Sequence, residues 1–446
     1  MKVVVIGGGV AGMSSAYRLM QQGHQVSLYE ASPFLGGLVR TFDIGGNRLE
    51  AYYHHLFRTD TTIINLIEEL GLGDRLKWIE SKVGWYEDGK IYPFVTPIDL
   101  LRFKPLPLID RVKLGLMGMR LRNREDWAEF EQITCKDWIE KNVSKKVFEK
   151  VWGPLLIGKY GSAYDQVAMA WLWSKIHLRF ASRKGGPMQK EELGYLDGSF
   201  AVYIDEMERR MRAGCVDIHL GSGVDRITAE NNRATGVILA DGTNIPADAV
   251  IAAVPSLLFK KLAPPLTPEY EAKLDYVQWQ GAVCMIVTMK RSLSPIYWMN
   301  IGDRSMPFLA LVEHTNFIGP ENYGGNHILY ISNYLAQDHE YFGMDEDQLW
   351  ALFEPALKKI NPEFSSDWVN DRWLFKAPYA QPVIRMQYSA HRPEHRTPVE
   401  GLYLETMTQI YPEDRGQNYS IKMGEEVARM AVEDFTNRTP RPEAVA

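Results

Sequence analysis

Val3-Val4-Val5-Ile6-Gly7-Gly8-Gly9-Val10-Ala11-Gly12 decides the reading of this chain. Four uninterrupted apolar residues predict a buried strand, the glycines a tight turn, and the residues that follow a helix. Gly7 allows the turn, Gly9 lets backbone approach a pyrophosphate and Gly12 permits close helix–strand packing. At the helix start, Val10 and Ala11 offer free amides to phosphates. Met13, Ala16 and Met20 recur at helical spacing beside small Ala11, Ser14 and Ser15, so one side of the helix lies flat on a sheet. A second strand, Gln25 to Tyr29, ends at Glu30, with Ala31 next to it. That glutamate stands roughly 20 residues after the glycines, where a carboxylate accepts hydrogen bonds from an adenosine ribose. Strand, glycines, helix, strand and acid in this order separate a dinucleotide cradle from an ordinary glycine-rich turn. The fold class is α/β, with a Rossmann-like parallel sheet.

The chain has 446 residues, enough for more than one domain, and its 46% hydrophobic and 24% charged content describes a globular protein with a large core. A net charge of -6 leaves no cationic excess to neutralise phosphates, which argues against a nucleic-acid partner. Cys135, Cys215 and Cys284 are far apart and lack CxxC spacing, so neither a disulfide framework nor a metal site is expected. Met1-Lys2 runs straight into the first strand, and no apolar run reaches the length of a spanning helix. The expected compartment is the cytoplasm.

After Glu30, a turn-rich stretch leads to Gly36-Gly37-Leu38-Val39-Arg40-Thr41. A nicotinamide-binding domain has no need of a second glycine pair. Here Gly37 and Leu38 bring backbone to the cofactor again, and Arg40 supplies a charge-assisted bond to a phosphate or ribityl oxygen. The order GxGxxG, acid, GGxxR-T resembles the FAD-binding half of the amine oxidase, protoporphyrinogen oxidase and phytoene desaturase superfamily. The resemblance implies FAD rather than NAD.

It extends to further segments. Glu50 to Asp60 includes His55-Leu56-Phe57-Arg58-Thr59, similar to the H-x-F-x-T stretch of UDP-galactopyranose mutase and to the same region of protoporphyrinogen oxidases. The resemblance implies that it passes beneath the flavin, where His54 or His55 touches the ring or serves as acid or base. Asp248 to Pro255 is similar to the family's second fingerprint, in which the residue matching Val224 contacts adenine through its backbone. Gly401 to Thr408 then reads as a strand, and Gln417-Asn418-Tyr419-Ser420-Ile421 opens a last helix whose N-terminus faces the flavin's pyrimidine edge. Where much of the family has Ala-Gly, this chain has Glu405-Thr406, which brings Glu405 to the cofactor.

Residues 1–96, 194–256 and 395–436 are thus expected to form the FAD-binding domain, and 437–446 a disordered tail. A discontinuous substrate domain takes 97–193 and 257–394: helices over 97–183 as roof, an antiparallel sheet over 257–394 as floor. Leu106 to Arg122, with Lys104 just before it, mixes apolar residues with five basic side chains. Such a segment rests on a membrane surface or packs as an amphipathic helix on its own domain. Lys159 and Tyr160 lie in a stretch similar to a cavity loop of the superfamily. Trp373 and Ala377 to Pro382 resemble the segment that lays an aromatic against the flavin, making Tyr379 the first substrate-facing candidate. The functional expectation is hydride removal from a bulky, hydrophobic organic substrate, with oxygen or a quinone as electron acceptor. Amine-oxidising relatives carry a lysine near the flavin, in the strand that here reads Gly281 to Ile286 and has none. A redox-neutral sugar-nucleotide mutase is the alternative, with Arg58, Arg385, Arg392 and Arg396 as a diphosphate clamp; a flavin-bound protein without activity is a third reading.

Overall fold

Four of the five residues of Lys2–Ile6 are buried, which a strand achieves only when both faces are covered and both edges paired. The computed structural model describes residues 1–182 and 191–437 and shows how this is done. Gln25–Glu30 pairs in parallel on one edge and Ala249–Ala252 on the other, so that Val5 lies between Leu28 and Ile251. Asp217–Leu220 and Leu402–Leu404 extend the sheet outward, giving five parallel strands drawn from the start, middle and end of the chain. The helices Val10–Gln21 and Gln417–Thr436 cross over one face. A Cβ on Gly424 would come within 2.4 Å of Ala11 O, so glycine alone permits that approach. The helix Ala201–Ala213 buries Tyr203, Met207 and Met211, the stripe its spacing predicts. A three-stranded antiparallel sheet, 224–246, packs its Ile227 and Val237 on Val4 and Ile6.

The second sheet has seven strands, ordered Val369–Pro382, Trp279–Met289, His327–Ala336, Ala310–Glu313, Trp298–Ile301, Val83–Glu87 and Lys90–Pro93. Its pairs are antiparallel except 298–301 with 83–87. The hairpin 83–93, turned at Asp88-Gly89, therefore pairs with this sheet and not with the first, although 1–96 reads as one block in sequence. All five residues of Val83–Glu87 are buried, which requires a place inside a sheet. Trp279–Met289 is buried throughout, and its alternation serves two cores. Cys284 and Ile286 join the core of the first half, while Val283, Met285 and Val287 meet Leu349, Phe353 and Leu357 of the helix Glu346–Ile360. The helices between 97 and 181 make a core of their own with Val383, Ile384 and Tyr388. The expected tail falls, from 438 on, outside the described residues.

Glu50 ties three elements together. Its carboxylate accepts from Tyr195 OH and from Phe200 N, both at 2.7 Å, and the side chain is fully buried. Burial raises its pKa from 4.5 to about 7, and the two donors offset this only in part. The folded state therefore holds a proton that the unfolded chain gives up, and this group's contribution to stability falls as pH rises from 4.5 to about 7. Glu50→Gln removes the ionisation. The melting temperature of the wild type relative to Glu50→Gln is expected to decline between about pH 5 and about pH 8 in a thermal-melt series.

Candidate cofactor and active site

The glycine loop is packed from below and open above. Gly7 has φ of 103°, and a Cβ on it would lie 2.5 Å from Ala253 O; one on Gly12 would lie 2.1 Å from Gly7 O. A Cβ on Gly9, by contrast, would meet no atom within 4 Å. The first helical bond, Met13 N to Gly9 O at 2.9 Å, leaves the amides of Val10, Ala11 and Gly12 without intrahelical partners. Gly36-Gly37 folds onto the same loop. Gly36 N donates to Gly8 O at 2.8 Å, and a Cβ on Gly37 would approach Gly9 Cα to 3.1 Å. Two glycine runs thus form one backbone surface beside open space, with free amides and a helix N-terminus, an arrangement that fits a diphosphate.

Glu30 anchors the rim, accepting from Gly8 N at 2.6 Å and Ser32 N at 2.8 Å, with lone pairs left for a ribose. The guanidinium of Arg40 lies over the rings of Phe34 and Phe375, at 5.1 and 5.6 Å. Ala31 and Gly37 are exposed, Leu38 is half-buried, and half-buried Val224 opens a strand by pairing with Leu239.

In the third segment, Glu405 N continues the sheet to Ala252 O, while its side chain runs under the first helix and accepts from Ser15 Oγ. Its second oxygen has no partner, and burial pushes the carboxyl up to about 7. In its protonated form Glu405 can donate to a ribityl or phosphate oxygen, so the buried orphan atom fits the cofactor. Gln417 accepts from Tyr203 OH at 2.7 Å and keeps an unpartnered amide nitrogen, and Asn418 Oδ1 accepts from Ile63 N at 3.1 Å. Among the five residues expected at the flavin edge, Gln417, Asn418 and Tyr419 carry free first-turn amides. Ser420 and Ile421 do not fit that role, because Ser420 N already donates to Gly416 O at 3.0 Å and Ile421 is fully buried in the core.

Between this loop and the second sheet, Leu38, Tyr52 and Tyr334 surround Ala282, Ala377 and Ala380. Small side chains at the centre and rings at the edge make an apolar patch with a flat middle. Tyr52 OH is buried without a partner. Arg415, just before the last helix, donates to Tyr334 OH and, at 3.1 Å, to Gln381 Oε1. Its neighbour Asp414 accepts from Lys159 Nζ at 2.9 Å, Lys175 Nζ at 2.5 Å and Trp171 Nε1 at 3.0 Å. Burial alone would raise the Asp414 carboxyl; Lys159, Lys175 and Arg415 together outweigh it and hold it well below the usual range. Lys159 thus belongs to an ion-pair network. Tyr160 is fully buried, its hydroxyl unpartnered.

The histidines are both held by hydrogen bonds inside the protein. His54 Nδ1 contacts Tyr52 O at 2.6 Å, and His55 Nδ1 contacts Tyr297 OH at 3.2 Å. Burial lowers His54 to about 4, with Arg415 adding to the effect, and His55 to about 3. Both are neutral at pH 7, so neither is poised as a proton carrier there. Tyr379 sits where the register between 279–289 and 369–382 slips, its ring edge-on to Trp279 at 5.6 Å, and no hydrogen bond between described residues links it to His54 or His55. The four arginines of the mutase reading are dispersed. Arg58 pairs with Glu192 at 2.5 Å and Arg396 with Asp434 at 2.7 Å; Arg392 donates to Gln409 O at 3.0 Å, and Arg385 covers the Tyr276 ring at 3.9 Å.

The flavin containing amine oxidoreductase family matches residues 10–410, and the chain belongs to it. It is a flavin-dependent oxidoreductase with FAD as cofactor, acting on a small molecule. The 15-cis-phytoene desaturase of Arabidopsis thaliana is 25% identical over 431 residues, covering 91% of this chain and 75% of that protein. Two solved structures share the fold. An oxidoreductase from Methanosarcina mazei has a TM-score of 0.73 at 20% identity, covering 97% of this chain and 100% of that one. Reduced UDP-galactopyranose mutase has a TM-score of 0.75 at 15% identity, covering 97% and 95%.

Because Gly9 faces open space with an unstrained φ of -71°, Gly9→Val puts its Cβ into the cradle, where it meets no protein atom. Its purified form is expected to lose FAD, read as flavin absorbance per chain, while circular dichroism stays that of the wild type.

Proposed function

We propose that the protein takes a hydride from a bulky, apolar organic substrate, in the manner of a desaturase or a protoporphyrinogen oxidase. One observation carries this reading: the apolar patch of Leu38, Tyr52, Tyr334 and three alanines lies two residues along the chain from His54, and both His54 and His55 stay neutral at pH 7. Bound FAD supplies the hydride acceptor, N5 of its ring. The chain's own work is to hold, orient and keep dry. Leu38 and the alanines are the proposed apolar floor under the flavin, Tyr52 and Tyr334 edge it, and Arg415 is fastened to Tyr334 and Gln381 at the N-terminus of the last helix. Tyr379 and Trp279 are the proposed wall on the substrate side. The whole-chain likeness to a phytoene desaturase supports an extended isoprenoid over an amine, as does the buried strand Trp279–Met289, which has no lysine. A sugar-nucleotide mutase is disfavoured, since its four arginines are engaged apart from one another.

Anaerobic mixing of the FAD-loaded protein with amines, tetrapyrroles and isoprenoids tests the reading. Flavin absorbance is expected to bleach with a tetrapyrrole or an isoprenoid and to persist with small amines, and calorimetry is expected to register no tight UDP binding. Bleaching by small amines alone, or tight UDP binding with no bleaching, would overturn it. His54 changes protonation only near pH 4. The kcat/KM profile of His54→Gln should therefore keep the wild-type shape from about pH 5.5 to about pH 8; a limb lost in that window would make His54 a titrating base.

A further inference from the structure

Among the described residues, seven of the eleven exposed large apolar side chains fall between residues 98 and 119: Ile98, Leu101, Leu108, Ile109, Val112, Leu116 and Met119. They stand on two helices, Pro97–Arg102 and Leu108–Arg122, joined by Arg111, whose guanidinium donates to Leu101 O and Leu106 O at 2.7 Å. The longer helix is apolar on two faces. Leu114, Met117 and Leu121 turn inward with Asp110 and are buried. At about 100° per residue, Leu108, Met119, Val112, Leu116 and Ile109 follow one another around an outer arc of roughly 100°. On the same wheel Arg120 and Lys113 flank one edge of that arc, and Arg111 and Arg122 the other. A helix facing water would carry polar residues on its outer face.

Charge narrows the occupant. Residues 97–124 hold seven Lys and Arg against two acids, although the whole chain has 50 against 56. Asp110 is buried and Asp99 is spent in a capping box, so the outer face presents cations only around its apolar arc. Arg120 and Lys113 also border a largely apolar pocket of about 150 Å³ lined by Leu116, Met117, Trp138 and Val143, so the cations and the apolar surface adjoin. No helix of the described residues is long and apolar enough to cross a membrane. We infer that residues 98–122 form a docking surface for an anionic phospholipid bilayer, with the outer arc in the acyl boundary and the flanking cations at the headgroups.

Sedimentation of the FAD-loaded full chain with vesicles tests this. Binding is expected to phosphatidylcholine vesicles containing phosphatidylglycerol, to weaken with salt, and to be much poorer to phosphatidylcholine alone. Ile109→Ser/Leu116→Ser should weaken binding by about ten-fold or more, and Lys113→Gln/Arg120→Gln by about five-fold per charge. Flavin content and melting temperature control for folding, since all four side chains lie outside the cofactor site. Absence of binding to anionic vesicles, or binding unchanged in Ile109→Ser/Leu116→Ser, overturns the inference. So does a dimer, seen by analytical ultracentrifugation, that this variant dissolves without any vesicle binding, which would make the face a contact between two copies. None of these outcomes depends on which substrate the flavin oxidises.

Discussion

The parallel pairing of Ala249–Ala252 between Lys2–Ile6 and Leu402–Leu404 is the constraint on which the rest depends. Three pieces of chain separated by about 250 and about 150 residues meet there in register. Everything between them is pinned at both ends to one sheet, which is how the second sheet and the helices of 97–181 come to stand over the carboxyl ends of the strands, where open α/β sheets bind ligands. The glycine loop follows the first strand, Ala253 closes beneath Gly7, and Glu405 follows the last, so the same register that builds the core assembles the cofactor site.

That arrangement explains how much was readable. The cradle was legible because its requirements are local: Gly7, Gly9 and Gly12 must stand at fixed spacing after a buried strand, and Glu30 at the end of the next. The strand Trp279–Met289 was legible from its apolar run. The hairpin across Asp88-Gly89 was legible too, but its sheet was not, because strand pairing is set by tertiary contact and the sequence of Val83–Glu87 carries no sign of which sheet it enters. Ser420 differs from Tyr419 in that its amide has a carbonyl partner, Gly416 O, a matter of where the helix begins.

The site's electrostatics were the least legible part. His54 and His55 have the residue type of acid–base catalysts, yet burial decides their protonation, and burial belongs to the fold. Arg58 and Arg396 suit a diphosphate until Glu192 and Asp434 are seen to hold them. Conversely, Asp414 and Arg415 stand directly before the last helix, and that adjacency was available from sequence. Their partners Lys159, Tyr334 and Gln381 come from three different elements, and no spacing rule joins them.

The three-part sheet also has a consequence for biosynthesis. Lys2–Ile6 can pair with Gln25–Glu30 almost as soon as both leave the ribosome, but its other edge must wait for Ala249–Ala252. At 5–20 residues per second that edge, four apolar residues in a row, stays open for roughly 12–50 s. During translation the nascent chain therefore carries an unpaired, strand-forming segment longer than many small proteins take to be made, and exposure of this kind is what chaperones shield.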